Sequence, residues 1–144
     1  MKPKLIMAAA AVVAPLTFGV AHAAAPTSIQ VVEEGEGGSA MSLKLTPATV
    51  KAGPVVFEVK NDAVAEEHEM LVVRLTSPQE KMPLVKAGNR LDEKKLESLG
   101  EVADLKPGAS GELKVNLQPG TYLVFCNIKG HYQAGMASKL SVTK

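Results

Sequence analysis

Short runs of alternating apolar residues, broken every few positions by turn-forming residues, constrain this chain more than any other feature. Apolar side chains recur at every second position in Met41, Leu43 and Leu45, in Val55, Phe57 and Val59, in Leu113, Val115 and Leu117, and in Leu140 and Val142. A period of two puts one side of an extended strand into a core and the other into water. Gly35–Gly38, Ala52-Gly53-Pro54, Lys106-Pro107-Gly108 and Gln118-Pro119-Gly120 separate the runs with residues that favour chain reversal. Several short strands at this spacing predict an all-β sandwich. Two stretches, His68–Leu75 and Thr121–Cys126, are apolar on both faces, so they are expected to be central and covered on their outer side. Thr76–Gly100 is the expected cover. Asn89 as a cap, Asp92 in the first turn, Gly100 past the end and Leu91, Leu96 and Leu99 on one side predict a short helical insertion around residues 89–99, with its helix over Leu91–Leu99. Pro83 argues against a second long helix upstream.

A chain of 144 residues holds one domain, with room for a leader. Lys2 and Lys4 precede an uncharged run from Leu5 to Val20, and Ala21-His22-Ala23 offers small residues where a signal peptidase reads. Residues 1–23 are therefore expected to be a signal peptide, and 24–144 the mature domain, exported to the periplasm. A membrane anchor is the alternative. It fits less well, because a span needs about 20 apolar residues and Pro15 interrupts this run. No Arg-Arg pair precedes the apolar run, so export is expected to thread an unfolded chain that takes up any metal outside the cytoplasm.

Cleavage would remove two of the 16 basic residues and one of the three histidines, leaving 14 basic against 15 acidic groups. That balance offers no polybasic footprint for nucleic acid. A single cysteine rules out an intramolecular disulfide and a four-thiolate cluster. Glu33, Glu34 and Glu36 read as the solvated edge of a hairpin, with a docking patch as the other reading.

The chemistry is concentrated in residues 120–136, where Cys126, His131 and Met136 are spaced C-x4-H-x4-M. A strand ends on Cys126, a glycine-containing loop carries His131, and Met136 opens the next strand. Gly130 and Gly135 stand just before His131 and Met136, where a missing β-carbon permits a sharp turn. Thiolate, imidazole and thioether form a soft donor set suited to copper, but a trigonal blue-copper plane needs a second imidazole. After cleavage the one candidate is His68. Each residue also has a plainer reading: a buried apolar thiol, a core methionine, a loop or core histidine.

The Phe57-Glu58-Val59-Lys60-Asn61 strand, His68-Glu69-Met70 and the Gly120–Met136 run resemble the cupredoxins, the small blue-copper proteins. The four-and-four ligand spacing looks most like the rusticyanin and sulfocyanin branch. The resemblance implies an eight-stranded or similar Greek-key β-sandwich holding one mononuclear type 1 copper ion. His68, Cys126 and His131 would be equatorial ligands and Met136 the weak axial one. One departure is Glu69, which stands where many members place Asn or Ser.

The function this implies is one-electron transfer rather than catalysis. Two histidines held by a metal leave none for a Ser/His/Asp arrangement, and a set closed by a thioether is one that zinc rarely uses. Expected partners are redox proteins such as a c-type cytochrome or a terminal oxidase, met briefly by a monomer. The alternative is a periplasmic copper carrier or homeostasis protein that binds copper without redox shuttling. Against it, the chain lacks a Met/His-rich tract.

Overall fold

The computed structural model describes residues 25–85 and 88–144; the expected signal peptide lies outside them. Eleven strands follow in chain order: β1 (Thr27–Glu34), β2 (Ser42–Thr46), β3 (Thr49–Lys51), β4 (Gly53–Asn61), β5 (His68–Arg74), β6 (Leu84–Val85), β7 (Arg90–Leu91), β8 (Ser98–Leu105), β9 (Ser110–Leu117), β10 (Gly120–Phe125) and β11 (Ala137–Thr143). Nine of them form a sandwich, with one sheet in the order β2-β1-β4-β9 and the other β3-β11-β10-β5-β8. The chain changes sheet between β2 and β3, β3 and β4, β4 and β5, β8 and β9, and β9 and β10, so both sheets grow together around one core. Among the described residues, no helix is long and apolar enough to cross a membrane.

The alternation read from the sequence decides which faces meet. Ile29 and Val31, Val55, Phe57 and Val59, Met70 and Val72, Tyr122 and Val124, and Leu140 and Val142 form one buried cluster contributed by both sheets. Burying one such side chain is worth about 1.5–3 kcal/mol, so a one-residue slip in any strand would forfeit several of these gains together. At the far end of β10 from the histidines, the Tyr122 hydroxyl donates to the Gln118 carbonyl at 2.7 Å and accepts from the Gln118 N–H at 3.1 Å, closing the β9–β10 turn.

The doubly apolar strands lie side by side in the five-stranded sheet, Leu123 opposite Val73 and Phe125 opposite Leu71. Their outer faces bury Leu71, Val73, Leu75, Leu123 and Phe125 in a second cluster with Leu91, and Met82 and Leu96 pack against it. The cover thus comes from the expected segment, but it is not a helix. It consists of the β6–β7 ribbon, with Leu84 opposite Leu91, and a single 3-10 turn at Glu93–Lys95. Asn89, the expected cap, has a left-handed backbone with φ of 46°. Leu96 is already extended, and Leu99 faces the inter-sheet core while Leu91 and Leu96 face the outer cluster. Three leucines that a helix would place on one side are divided between two faces by the start of β8. Gly100 is a strand residue with φ of 146°, and a β-carbon there would lie 2.7 Å from Leu113.

Candidate metal centre

The ligand candidates gather at one end of the sandwich for reasons of register. Leu71 opposite Phe125 brings the start of β5 beside the end of β10, and with it His68 beside Cys126. From Cys126 the chain makes a compact loop back to β11. Ala134 N–H donates to the Gly130 carbonyl, Met136 N–H to the His131 carbonyl and Cys126 N–H to the Met136 carbonyl, at 2.9, 3.1 and 3.1 Å. Gly130 and Gly135 take φ of 88° and 107°, the left-handed turns expected of them.

His68, Cys126 and His131 each offer one donor atom, and all three atoms lie within 4.8 Å of one another. His68 Nδ1 is 3.2 Å from His131 Nδ1, and Cys126 Sγ is 3.4 Å from the same nitrogen. Two nitrogens and a sulfur bound to one ion at about 2.0–2.3 Å would stand this far apart. The rings meet edge to face, with centroids 5.1 Å apart and planes at 74°. His68 and Cys126 are fully buried, and His131 is 6% exposed. Met136 is fully buried in the same cluster as Cys126, so both sulfurs lie in one core. The chemistry of the set, two imidazoles and a cysteine sulfur with a methionine in the same core, fits copper.

Burial makes this site resist charge: it favours the neutral thiol and the neutral imidazoles. Burial pushes the Cys126 thiol up to about 12, assisted by the carboxyls of Glu33 and Glu69 and opposed by the Glu69 and Ile128 backbone groups directed at the sulfur. Burial lowers the pKa of His68 and of His131, and His68 lowers His131 further. Neutral imidazoles are ready to coordinate, whereas the thiol must lose its proton to solvent as a metal binds. The Gly35 carbonyl faces the His68 ring, yet Nε2 is buried without a hydrogen bond of normal geometry.

Two asparagines that sequence reasoning did not assign to the site support it. Asn127 is fully buried. Its Oδ1 accepts from Leu91 N–H at 2.7 Å, and its Nδ2 donates to the Leu91 carbonyl and to Glu93, which locks the cover onto the end of β10. Asn61 holds the loop before His68, accepting from Ala63 N–H at 2.8 Å and donating to the Glu66 carbonyl at 2.9 Å.

The acidic triplet is not one solvated edge. Glu33 is fully buried, Glu34 pairs with Lys44, and Glu36 accepts backbone N–H groups. The signal for Glu33 was its place in β1: it follows Ile29 and Val31 on the inward phase. Tyr132, on the loop after His131, packs edge to face on Phe125 with centroids 6.0 Å apart. An open cleft of about 420 Å³ lies beside His131, bounded by Gly37, Ser39, Met41, Glu66, Lys129 and Ala134.

No protein-family model matches the chain, and no curated protein matches it in sequence. Solved structures match it in fold. The chain is similar to dithionite-reduced auracyanin from the photosynthetic bacterium Roseiflexus castenholzii, at 23% identity and a TM-score of 0.59 over 84% of this chain and all (100%) of that one. It is similar to auracyanin A, a "blue" copper protein of the green thermophilic photosynthetic bacterium Chloroflexus aurantiacus, at 21% identity and a TM-score of 0.52 over 81% and 99%. Rusticyanin matches at 17% identity and a TM-score of 0.56 over 84% of this chain and 80% of that one. A two-sheet sandwich with His, Cys and His converging at one end, superposing on auracyanin and rusticyanin across most of its length, has the cupredoxin fold.

Proposed function

We propose that this chain is an exported blue-copper protein that carries one electron between redox partners through a single type 1 copper ion. The observation that carries this reading is the convergence of His68 Nδ1, His131 Nδ1 and Cys126 Sγ. His68, Cys126 and His131 would hold the metal, with Met136 as the fourth ligand. Copper would supply the Cu(I)/Cu(II) couple there. The chain's own part is to keep the donors in place and keep water out. His68, Cys126 and Met136 are sealed in the core, and both histidines reach the site from strand ends or short loops of a packed sandwich, which limits rearrangement on electron transfer.

His131, the most exposed of the four, is the route for the electron, across a small and transient interface. A c-type cytochrome or a terminal oxidase is the proposed class of partner, and the periplasm the proposed compartment, in keeping with the leader-like residues 1–23.

Copper addition tests the site. An intense visible thiolate-to-copper band is expected, lost in Cys126→Ala and altered in His68→Ala. A colourless copper complex of the folded protein would refute the reading. Voltammetry should then give one reversible one-electron wave; tight Cu(I) binding with no accessible Cu(II) state would refute the shuttle in favour of a carrier.

A further inference from the structure

The loop between β4 and β5 delivers His68 but has little apolar anchorage of its own. Of residues 62–67, Ala63 is buried, whereas Val64 is 88% exposed. Its backbone is held by side chains instead. Ala63 N–H donates to Asn61, and the next three N–H groups, of Val64, Ala65 and Glu66, all donate to the Glu36 carboxylate, the last two at 3.2 and 3.1 Å. Successive N–H groups aimed at one anion form a nest, and such charge-assisted bonds are about twice as strong as neutral ones. The contact is reciprocal, because Gly37 N–H donates to Glu66 Oε1 at 3.1 Å. A β-carbon on Gly37 would come within 2.7 Å of that oxygen.

The segment carrying Glu36 continues to the other ligand loop. Met41 N–H donates to the Ala134 carbonyl at 2.9 Å, between His131 and Met136 in sequence. A β-carbon on Gly135 would meet the Met41 carbonyl at 2.8 Å, so the two backbones touch. Residues 35–41 therefore grip the His68 loop at one end and the His131–Met136 loop at the other, and form one wall of the cleft beside His131.

We propose that Glu36 is a positioning residue: by seating its carboxylate in the Val64–Glu66 amide nest it uses the Gly35–Met41 segment to set the separation of His68 from His131 and Met136 before metal arrives. The inference rests on the copper-site reading for its consequence, and on the metal-free geometry for its substance.

The test compares wild type with Glu36→Gln, and with Glu66→Gln as the milder variant should the first not fold. Amide hydrogen exchange and the imidazole NMR signals are followed in the metal-free protein, and Cu(I) affinity is measured by competition. In Glu36→Gln, protection at Val64, Ala65 and Glu66 is expected to fall about tenfold or more, while core amides of β10 keep theirs. The His68 and His131 ring signals are expected to shift or broaden, and Cu(I) affinity to drop about tenfold. Glu66→Gln should show the same pattern at smaller amplitude. Unchanged protection, or lost protection with unchanged ring signals, overturns the proposal. If wild type itself binds no copper, the copper reading fails, and the ring signals of the metal-free protein still decide whether Glu36 positions His68.

Discussion

Replacing Glu33 by Gln should change how stability depends on pH more than it changes stability at any one pH. Glu33 is fully buried, and neither carboxylate oxygen has a hydrogen-bond partner among the described residues. Burial first, and the nearby Glu69 carboxyl second, push its pKa from 4.5 to about 8. Its pKa is higher folded than unfolded, so native Glu33 keeps its proton while the unfolded chain loses it. Stability is then intact below about pH 4.5, falls as pH rises, and levels off above about 8. At 1.36 kcal/mol per pK unit, the full loss comes to about 5 kcal/mol, of which about 3 falls between pH 5.5 and 9.5.

The variant has no proton to lose. Urea unfolding of both metal-free proteins at about pH 5.5 and about pH 9.5 should therefore show its stability relative to wild type improving by about 3 kcal/mol at the higher pH. The other titrating groups are common to both chains and cancel in the difference, apart from the smaller contributions of Glu69 and Cys126, whose charges interact with Glu33. A relative stability equal at both pH values to within about 1 kcal/mol would refute the placement of an uncompensated carboxyl in this core.

Three further outcomes are expected. Because the Cys126 thiol is pushed up to about 12 in the metal-free site, copper binding at about pH 7 should release at least one proton, read by calorimetry in buffers of different ionisation enthalpy; no release would refute thiolate ligation. Gly135→Ala combines a φ of 107° with a β-carbon 2.8 Å from the Met41 carbonyl, and should cost about 2–4 kcal/mol in denaturant unfolding; a cost below about 1 would show that these backbones separate freely. Asn127→Ala removes the partners of both backbone polar groups of the buried Leu91 and should cost about 2–4 kcal/mol, with limited proteolysis moving to residues 76–100; an unchanged cleavage pattern would show that Asn127 does not hold the cover.

The strand pattern and the Cys126, His131, Met136 spacing were legible because they are local. Alternation of apolar residues decides which face of a strand leaves water, and two glycines between Cys126 and Met136 let the chain fold straight back on itself. The cover was legible as a place but not as a conformation. Leu91, Leu96 and Leu99 satisfy a helical period as well as they satisfy a ribbon, a turn and the start of β8, and the choice was made by the two faces available to receive them. The acidic triplet misled for a related reason: charge alone predicts solvent, and it took the inward phase of β1 and the amide nest of the 64–66 loop to send Glu33 and Glu36 elsewhere.

By itself, then, the sequence determined an all-β chain with a soft donor set at the end of one strand, since both follow from side-chain period and short spacing. The sequence singles out His68, 58 positions before Cys126 in the chain, only as the one imidazole left over, and the tertiary structure is what brings it beside Cys126 and His131. The pairing of β5 with β10 is a long-range contact, and its register depends on the packing of whole sheets rather than on any local run of residues.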